Sequence, residues 1–338
     1  MKKLQTLILV TLVFILSSSA YAINLRFNVQ YNNKHPLSKG VFAPWAKQVK
    51  EVTDGRVKVT LFYSNALFKP KDALNAVSKR VADIGVVLPT YTRDRLMMAS
   101  VLDQPMMTGG KTSDNSEVAW QLLQEIPEIK EEMKDVKVLW AYMNPTFQLH
   151  FSKTKPDSLD GLKNSVLSGG GTSMTRILRA LGASPESMPM NDVFLAMQKG
   201  VIDGCLLPYA PLKSQKIASL LNHHINADLM AITFYVSINK EAWAKISAED
   251  QKAIEAISGV VASRHTGEIF DKATVKGVEY MKEKGDTFVD LTAEQKTMWA
   301  EKIQPLRQKW IEEAKAKGYK NPEKVLDRAM QLIAEKSK

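Results

Sequence analysis

The sequence lacks the residue sets that most enzymes and disulfide-stabilised proteins depend on. Cys205 is the single cysteine among 338 residues, so no intrachain disulfide can form. Its place between Gly204 and Leu206 is typical of a small buried residue. The five histidines show no metal-binding spacing, and the adjacent His223 and His224 predict a polar pair at a helix end rather than a metal site. No nucleophile elbow, Walker loop or dinucleotide fingerprint occurs, so we expect no catalysis, cofactor or metal.

Basic runs are also missing, although the chain is basic overall. Lysine and arginine number 46 against 36 acidic residues, giving a formal net charge of +10. The lysines are spread along predicted helices, without the aromatic-interleaved patches of nucleic-acid-binding proteins. This distribution indicates a solvated surface and predicts no nucleic-acid partner.

An apolar run near the N-terminus has the pattern of a secretory signal peptide. Lys2 and Lys3 are followed by the mostly apolar residues 4–16, and Ala20 and Ala22 form an A-x-A cleavage site. The run is shorter than the about 20 residues that a spanning helix needs, and no later segment is long and apolar enough to span. We therefore expect residues 1–22 to be removed near Ala22 during export.

Strand-like and helix-like segments alternate along the rest of the chain, which predicts an α/β protein. The length suits two lobes of about 150 residues each. From Ser247 to about Lys284 the chain contains no proline, so one very long helix could lie across both lobes. Thr292 and Gln295 form a capping box that predicts the start of another helix.

A glycine-rich loop directly precedes a predicted helix. It covers residues 168–173, Ser-Gly-Gly-Gly-Thr-Ser. Exposed backbone N–H groups in such a loop can bind an anion. The alternative is a flexible turn with no ligand.

Several segments resemble one family, the solute-binding subunits of TRAP (tripartite ATP-independent periplasmic) transporters of the dicarboxylate-receptor, DctP-like type. The resemblance extends over nearly all of the mature chain and rests on the order and spacing of its segments. They are residues 35–36, 42–57, 63–67, 76–85, 155–156, 158–163, 180–183, 188–190, 200–204, 239–243 and 247–251.

This resemblance implies a two-lobed α/β periplasmic binding protein fold with a long helix bridging both lobes. It implies lobe I from residues 23–146 plus about 232–265, and lobe II from 147–231 plus about 266–338. The implied function is a periplasmic receptor that captures a small polar ligand and delivers it to an ion-gradient-driven TRAP permease, without catalysis. The alternatives are a sensory protein that presents ligand to a membrane receptor and, less favoured, an exported enzyme on the same fold.

The sequence departs from the family where the substrate carboxylate is expected to bind. The family's arginine, whose planar fork matches a carboxylate, falls here at Leu167 or Ser168, and a second falls at Phe147 or Gln148. Burying a carboxylate without a cation beside it costs roughly several kcal/mol, because the charge loses its hydration and gains no partner. We therefore expect a ligand other than a plain carboxylate, unless another cation lies in the cleft.

Ligands that remain compatible are a sulfonate or phosphate on the glycine-rich loop, a neutral polyol, or a small amine. Trp140 and Tyr142 could form a cation–π wall, although alternate aromatic residues on a strand also occur in cores. The predicted ligand-binding residues are His35, Tyr91, Asn144, Gln148, Ser168, Gly170 and Tyr209.

Overall fold

A computed structural model describes residues 22–188, 190–213 and 216–336. The predicted signal peptide lies outside the described residues except for Ala22. No helix within the described ranges has the length and apolar character needed to cross a membrane.

The described residues form eleven strands in two sheets. The strands are β1 (Ile23–Asn28), β2 (Val57–Phe62), β3 (Ile84–Val87), β4 (Val136–Met143), β5 (Gln148–Phe151), β6 (Val166–Ser168), β7 (Ser184–Glu186), β8 (Gly204–Leu207), β9 (His223–Asn226), β10 (Thr233–Asn239) and β11 (Thr287–Asp290). The first sheet has the order β2-β1-β3-β10-β4 and the second β11-β9-β5-β8-β6-β7. We call the first sheet and the elements packed on it lobe I, and those of the second sheet lobe II.

Thirteen α-helices connect and cover these strands within the described ranges. They are α1 (Ala43–Val52), α2 (Ala73–Ser78), α3 (Thr112–Glu125), α4 (Pro127–Glu132), α5 (Leu159–Leu162), α6 (Thr172–Ala180), α7 (Met190–Gln198), α8 (Tyr209–Leu212), α9 (Lys240–Ala244), α10 (Ala248–Ala256), α11 (Gly259–Glu283), α12 (Ala293–Ala316) and α13 (Pro322–Lys336). Short 3₁₀ turns cover Pro70–Asp72, Pro89–Tyr91, Met98–Asp103 and Ile217–Ser219, and a π-helical turn, Ser38–Phe42, precedes α1.

The long helix α11 bridges the two lobes, as the sequence predicts. Near its middle it packs so closely on α3 that a Cβ added at Gly267 would lie 2.3 Å from the Ser113 Cα. One end of the helix reaches lobe II, where a Cβ at Gly277 would lie 3.0 Å from the Tyr209 carbonyl oxygen. Both contacts depend on a residue without a side chain.

The predicted continuous helix from Ser247 is divided in the structure. Ser247 does cap a helix, since its side chain accepts a hydrogen bond from the Asp250 N–H, but that helix is α10 and ends at Ala256. A new helix begins at Gly259, whose φ of +55° is in the left-handed region that favours glycine. The proline-free sequence permits a long helix but does not prevent this break.

The C-terminal half of α12 and helix α13 return to lobe I, whereas the start of α12 contacts lobe II, where Gln295 Nε2 donates to the Asp157 carbonyl. Trp310 of α12 and Leu326 of α13 share a buried cluster with Leu122 of α3. This packing differs from the predicted assignment of about 266–338 to lobe II. The physical reason is the apolar stripe of α13, which is buried against lobe I and which the sequence alone does not match to either lobe.

The histidine pair lies in a strand, not at the predicted helix end. His223 and His224 open β9, where they pair in parallel with Thr287 and Phe288 of β11. Both side chains are buried. Within the described residues, no group of three histidine, cysteine, aspartate or glutamate side chains could hold a metal ion.

Candidate functional site

The loop after β1 places His35 beside Tyr31 of lobe I. The His35 ring stacks on Tyr31 with centroids 3.8 Å apart, and its Nδ1 accepts a hydrogen bond from the Leu37 N–H. Burial lowers the pKa of His35 to about 4, so the ring is neutral at neutral pH. Burial likewise raises the pKa of Tyr31 to about 12, with a smaller electrostatic contribution from Tyr91. Tyr91, at the end of the 3₁₀ turn Pro89–Tyr91, is 58 % exposed.

The amides of Asn144 and Gln148 are used within the chain. Asn144 Oδ1 accepts from the Ile232 N–H at 2.7 Å. Gln148 Oε1 accepts from the N–H groups of Ala227 and Asp228 at 2.7 and 2.9 Å, and its Nε2 donates to Asp228 Oδ1 at 2.7 Å. Both side chains therefore hold the segment between β9 and β10 in place, and this role accounts for their polarity without a ligand.

Tyr209 faces the interior of lobe II. Its hydroxyl donates to Asn226 Oδ1 at 2.6 Å, and its ring meets His150 edge-on with centroids 4.9 Å apart. In lobe I, the rings of Trp140 and Tyr142 are fully buried in the hydrophobic core. These positions give all three aromatic residues a packing role, and the core interpretation of Trp140 and Tyr142 is the one that the structure supports.

The two positions at which the family carries arginine are apolar or buried here. Leu167 has no exposed surface and packs in the hydrophobic core, and Phe147 is 3 % exposed. Ser168 lies in β6, paired with Glu186 of β7. A ligand carboxylate therefore needs cations from other positions of the chain.

The glycine-rich loop uses part of its backbone internally. The Gly169 N–H donates to the Glu186 carbonyl at 3.0 Å, and the Gly170 N–H points to the Met174 sulfur at 3.2 Å. Gly171 has a φ of +104° and leads into α6. The loop thus sets the direction of α6, whose first turns face lobe I.

A narrow crevice lies between the lobes beside the start of α6. We call it the inter-lobe crevice; it is lined by Thr90, Arg93, Ser100, Asp103, Gln104, Pro105, Ser173, Arg176, Ile177 and Leu306. The first six residues follow β3 in lobe I, Ser173 to Ile177 belong to α6 of lobe II, and Leu306 belongs to α12. Its cavity of about 30 Å³ has room for about two waters.

Two arginines from opposite lobes converge at the crevice. Arg93 Nη2 lies 3.3 Å from Glu313 Oε2, and Arg176 Nη1 lies 3.4 Å from Glu313 Oε1. Burial lowers the pKa of Arg93, and the like charge of Arg176 adds to this shift. Within the described part of the chain, the buried Arg93 Nε has no hydrogen-bond partner.

An acidic residue shares the crevice with these arginines. Asp103 Oδ1 accepts from both the N–H and the hydroxyl of Thr233 at 2.8 Å. Its buried Oδ2 has no hydrogen-bond partner among the described residues. Burial raises the pKa of Asp103 to about 7, although the nearby Arg93 charge opposes this shift. The crevice therefore offers an unused guanidinium donor and an unused carboxyl oxygen.

Sequence reasoning missed Arg93, Asp103 and Arg176. One signal was present, since Arg176 lies about one helical turn beyond the glycine-rich loop and so on a helix start already considered for anions. Arg93 lies two residues after Tyr91 but follows no motif. Arg93 becomes part of the crevice only because α6 of lobe II approaches it, and this tertiary contact is not visible in the sequence.

Comparison with known proteins identifies the family. Residues 27–314 match the DctP family, described as bacterial extracellular solute-binding protein, family 7. The chain is 25 % identical over 288 residues to the C4-dicarboxylate-binding periplasmic protein DctP of Rhodobacter capsulatus. This alignment covers 82 % of this chain and 83 % of the relative.

Solved structures show the same fold. A TRAP solute-binding protein from Rhodoferax ferrireducens in complex with benzoate superposes with a TM-score of 0.84, at 23 % identity, covering 94 % of this chain and 99 % of that one. One from an unidentified marine microbe, in complex with 3-hydroxybenzoate, has a TM-score of 0.85 at 23 % identity, with the same coverage of 94 % and 99 %. With a family match over residues 27–314 and this two-lobed architecture, the chain belongs to the DctP family of bacterial extracellular solute-binding proteins.

Proposed function

We propose that the receptor captures a small carboxylic acid that carries a second polar group, such as a hydroxyl, and delivers it to a TRAP permease. The observation that carries this proposal is the pair of unused groups in the inter-lobe crevice. Arg93 Nε and Asp103 Oδ2 are both buried, and neither has a hydrogen-bond partner among the described residues. An unsatisfied buried polar group costs about 1–3 kcal/mol, so a ligand that pairs both gains that energy on binding.

The two groups have different chemical preferences. A guanidinium donates to a carboxylate, and Arg176 approaches the same place from lobe II, so closure of the lobes can bring a second cation to the ligand. Asp103 Oδ2 can accept a hydrogen bond from a hydroxyl or an amine. A plain carboxylate would leave Asp103 unpaired. The receptor should therefore still bind a plain carboxylate less tightly than an acid with a second polar group, as the sequence predicts. The carboxylate of the ligand is bound by Arg93 and Arg176, which do not lie at the two family arginine positions.

The ligands of structural relatives support this chemical class. One relative was crystallised with benzoate and another with 3-hydroxybenzoate, which differ only in a hydroxyl group. These two acids are a matched pair for testing whether the second polar group matters in this receptor.

Calorimetric titration of the mature protein with both acids tests the proposal. We expect 3-hydroxybenzoate to bind about tenfold or more tightly than benzoate, because a buried hydrogen bond distinguishes them. Asp103→Asn should reduce this ratio, since the amide replaces one acceptor oxygen with a donor, and Arg93→Gln should weaken both acids.

Arg95→Gln and Asp160→Asn are matched controls, since these side chains are 47 % and 85 % exposed. Unchanged affinity of both acids in Arg93→Gln would show that the ligand binds elsewhere. Equal affinity of the wild type for the two acids would show that Asp103 does not accept a hydrogen bond from the ligand hydroxyl.

The proposed place of action is the periplasm, after cleavage near Ala22. Here the family's location and the A-x-A pattern support the proposal. The receptor is proposed to bind and release its ligand unchanged, with no catalytic role for any residue.

A further inference from the structure

We propose that Glu313 is an internal competitor for the ligand: its carboxylate occupies Arg93 Nη2 and Arg176 Nη1 when the receptor is empty, and an acid that pairs with both guanidiniums as well as with the free Arg93 Nε must displace it. This inference rests on the proposed function of the same crevice. Glu313 would then determine specificity, because only a ligand that brings its own negative charge can replace it.

The geometry places Glu313 between the two lobes. Arg93 follows β3 in lobe I, and Arg176 lies on α6 in lobe II. The two guanidiniums approach different oxygens of Glu313, at 3.3 and 3.4 Å. The backbone of Glu313 is fixed from lobe I, because its neighbours Trp310 and Ala314 are buried in the lobe I cluster. A carboxylate anchored in one lobe therefore pairs with a cation of the other.

Both contacts are longer than strong charge-assisted hydrogen bonds, which measure about 2.7–2.9 Å. The carboxylate side chain is 32 % exposed, so water also competes for it. A free ligand can adjust its position to make shorter contacts with the guanidiniums. Displacement of Glu313 by a well-placed carboxylate is thus energetically reasonable, because the internal pairs are weak.

The charges in this region explain why an internal carboxylate is useful. Arg176 acts on Arg93 as a like charge, which opposes the approach of the lobes, whereas Glu313 acts on Arg93 as an opposite charge. In the empty receptor Glu313 balances this repulsion. A ligand carboxylate provides the same balance, but a neutral polyol does not, and would leave Glu313 in place.

The proposal is tested by Glu313→Gln, with Glu312→Gln as the matched control. Glu312 is the preceding residue on α12, is exposed, and accepts a hydrogen bond from Gln308 on its own helix. Two measurements are made on the mature protein: the affinity for 3-hydroxybenzoate by calorimetry, and the radius of gyration without ligand by small-angle scattering.

We expect Glu313→Gln to bind the acid about fivefold more tightly than either the wild type or Glu312→Gln does. The reason is that the substitution removes two partly exposed ion pairs that compete with the ligand for the arginines. Without ligand it should have a larger radius of gyration, because the link between the lobes is lost. Weaker or unchanged binding in Glu313→Gln would overturn the competitor role.

The two proposals fail in different ways. If the acid binds neither the wild type nor the variant, the proposed ligand class is wrong, and scattering without ligand still decides whether Glu313 links the lobes. If neither Glu313→Gln nor Arg176→Gln changes the radius of gyration without ligand, the proposed link between the lobes is wrong. This result does not depend on which ligand the receptor binds.

Discussion

His150 Nδ1 lies 2.8 Å from His224 Nδ1 in the buried interior of lobe II. His150 Nε2 faces the Leu207 carbonyl at 2.9 Å, so this nitrogen must carry a proton and donate it. His150 Nδ1 is then the acceptor, and His224 Nδ1 is the donor. On its other side, His224 Nε2 meets Asp286 Oδ2 at 3.0 Å. The contacts therefore fix the tautomer of His150 and leave no room for a second proton on it.

This arrangement predicts a loss of stability in mild acid. Burial lowers the pKa of His150 well below its usual value, and the nearby charge of His224 adds to this shift. The unfolded chain takes up protons as the pH falls below about 6.5, whereas folded His150 does not, so His150 removes about 1.4 kcal/mol of stability per pH unit. His35, with a pKa of about 4, acts in the same direction.

Urea unfolding at pH 7 and pH 5 measures the effect at constant ionic strength. We expect a lower free energy of unfolding at pH 5, because His150 and His35 together outweigh Asp103, whose raised pKa of about 7 favours the folded state as the pH falls. In His150→Gln the pH dependence should be smaller by the uptake of about one proton on unfolding. The exposed His265 provides the control, and His265→Gln should keep the wild-type dependence. A His150→Gln variant with the full wild-type dependence would contradict the assigned tautomer.

The bridging helix predicts a second result, at Gly267. A Cβ there would lie 2.3 Å from the Ser113 Cα, a backbone atom that cannot rotate away. Gly267→Ala should lower the melting temperature, since overpacking of about 1–3 kcal/mol exceeds the about 1 kcal/mol gained from helix propensity. Val275→Ala, on the same helix and 55 % exposed, should change stability by less than about 0.5 kcal/mol. Equal melting temperatures for the two variants would show that the helix is free to shift.

A third prediction concerns Gly204 at the start of β8. A Cβ at this position would lie 2.1 Å from the His150 carbonyl oxygen of the neighbouring strand β5. Gly204→Ala should therefore displace β8 and destabilise the protein by about 3 kcal/mol, the upper end of overpacking costs. Gly285→Ala is a useful comparison, since its positive φ imposes backbone strain but no atom lies within 4 Å. In thermal unfolding, Gly204→Ala should have a clearly lower melting temperature than Gly285→Ala.

Export predicts the start of the mature protein. Intact mass spectrometry of periplasmic protein should give a chain that begins at Ile23, because signal peptidase requires small residues before its cleavage site. Ala22→Leu should block cleavage, while Tyr21→Phe, at the unrestricted middle position of the A-x-A site, should not. A periplasmic protein that retains residues 1–22 would contradict this prediction.

Local patterns in the sequence predicted the elements better than the site. The capping box of Thr292 and Gln295 is present at the start of α12, because both of its hydrogen bonds depend on residues three positions apart. Cys205 is buried, as its apolar neighbours predict. The crevice could not be predicted in this way. Arg93 and Arg176 are 83 positions apart and meet only because two lobes face each other.

Gln148 shows why a site residue is hard to predict from sequence. Alignment with a family arginine made it a candidate for ligand binding, but its amide is held by Ala227 and Asp228. A polar residue at a family site position can satisfy backbone groups instead of a ligand, and sequence does not distinguish the two roles.

The position of β10 has a consequence for the order of folding. This strand lies between β3 and β4 in the first sheet, yet it follows β5 to β9, which all belong to the second sheet. As the chain is made from its N-terminus, β3 and β4 have no partner between them until residues 233–239 are present. Lobe I therefore forms late, and its open strand edges can pair wrongly in the interval.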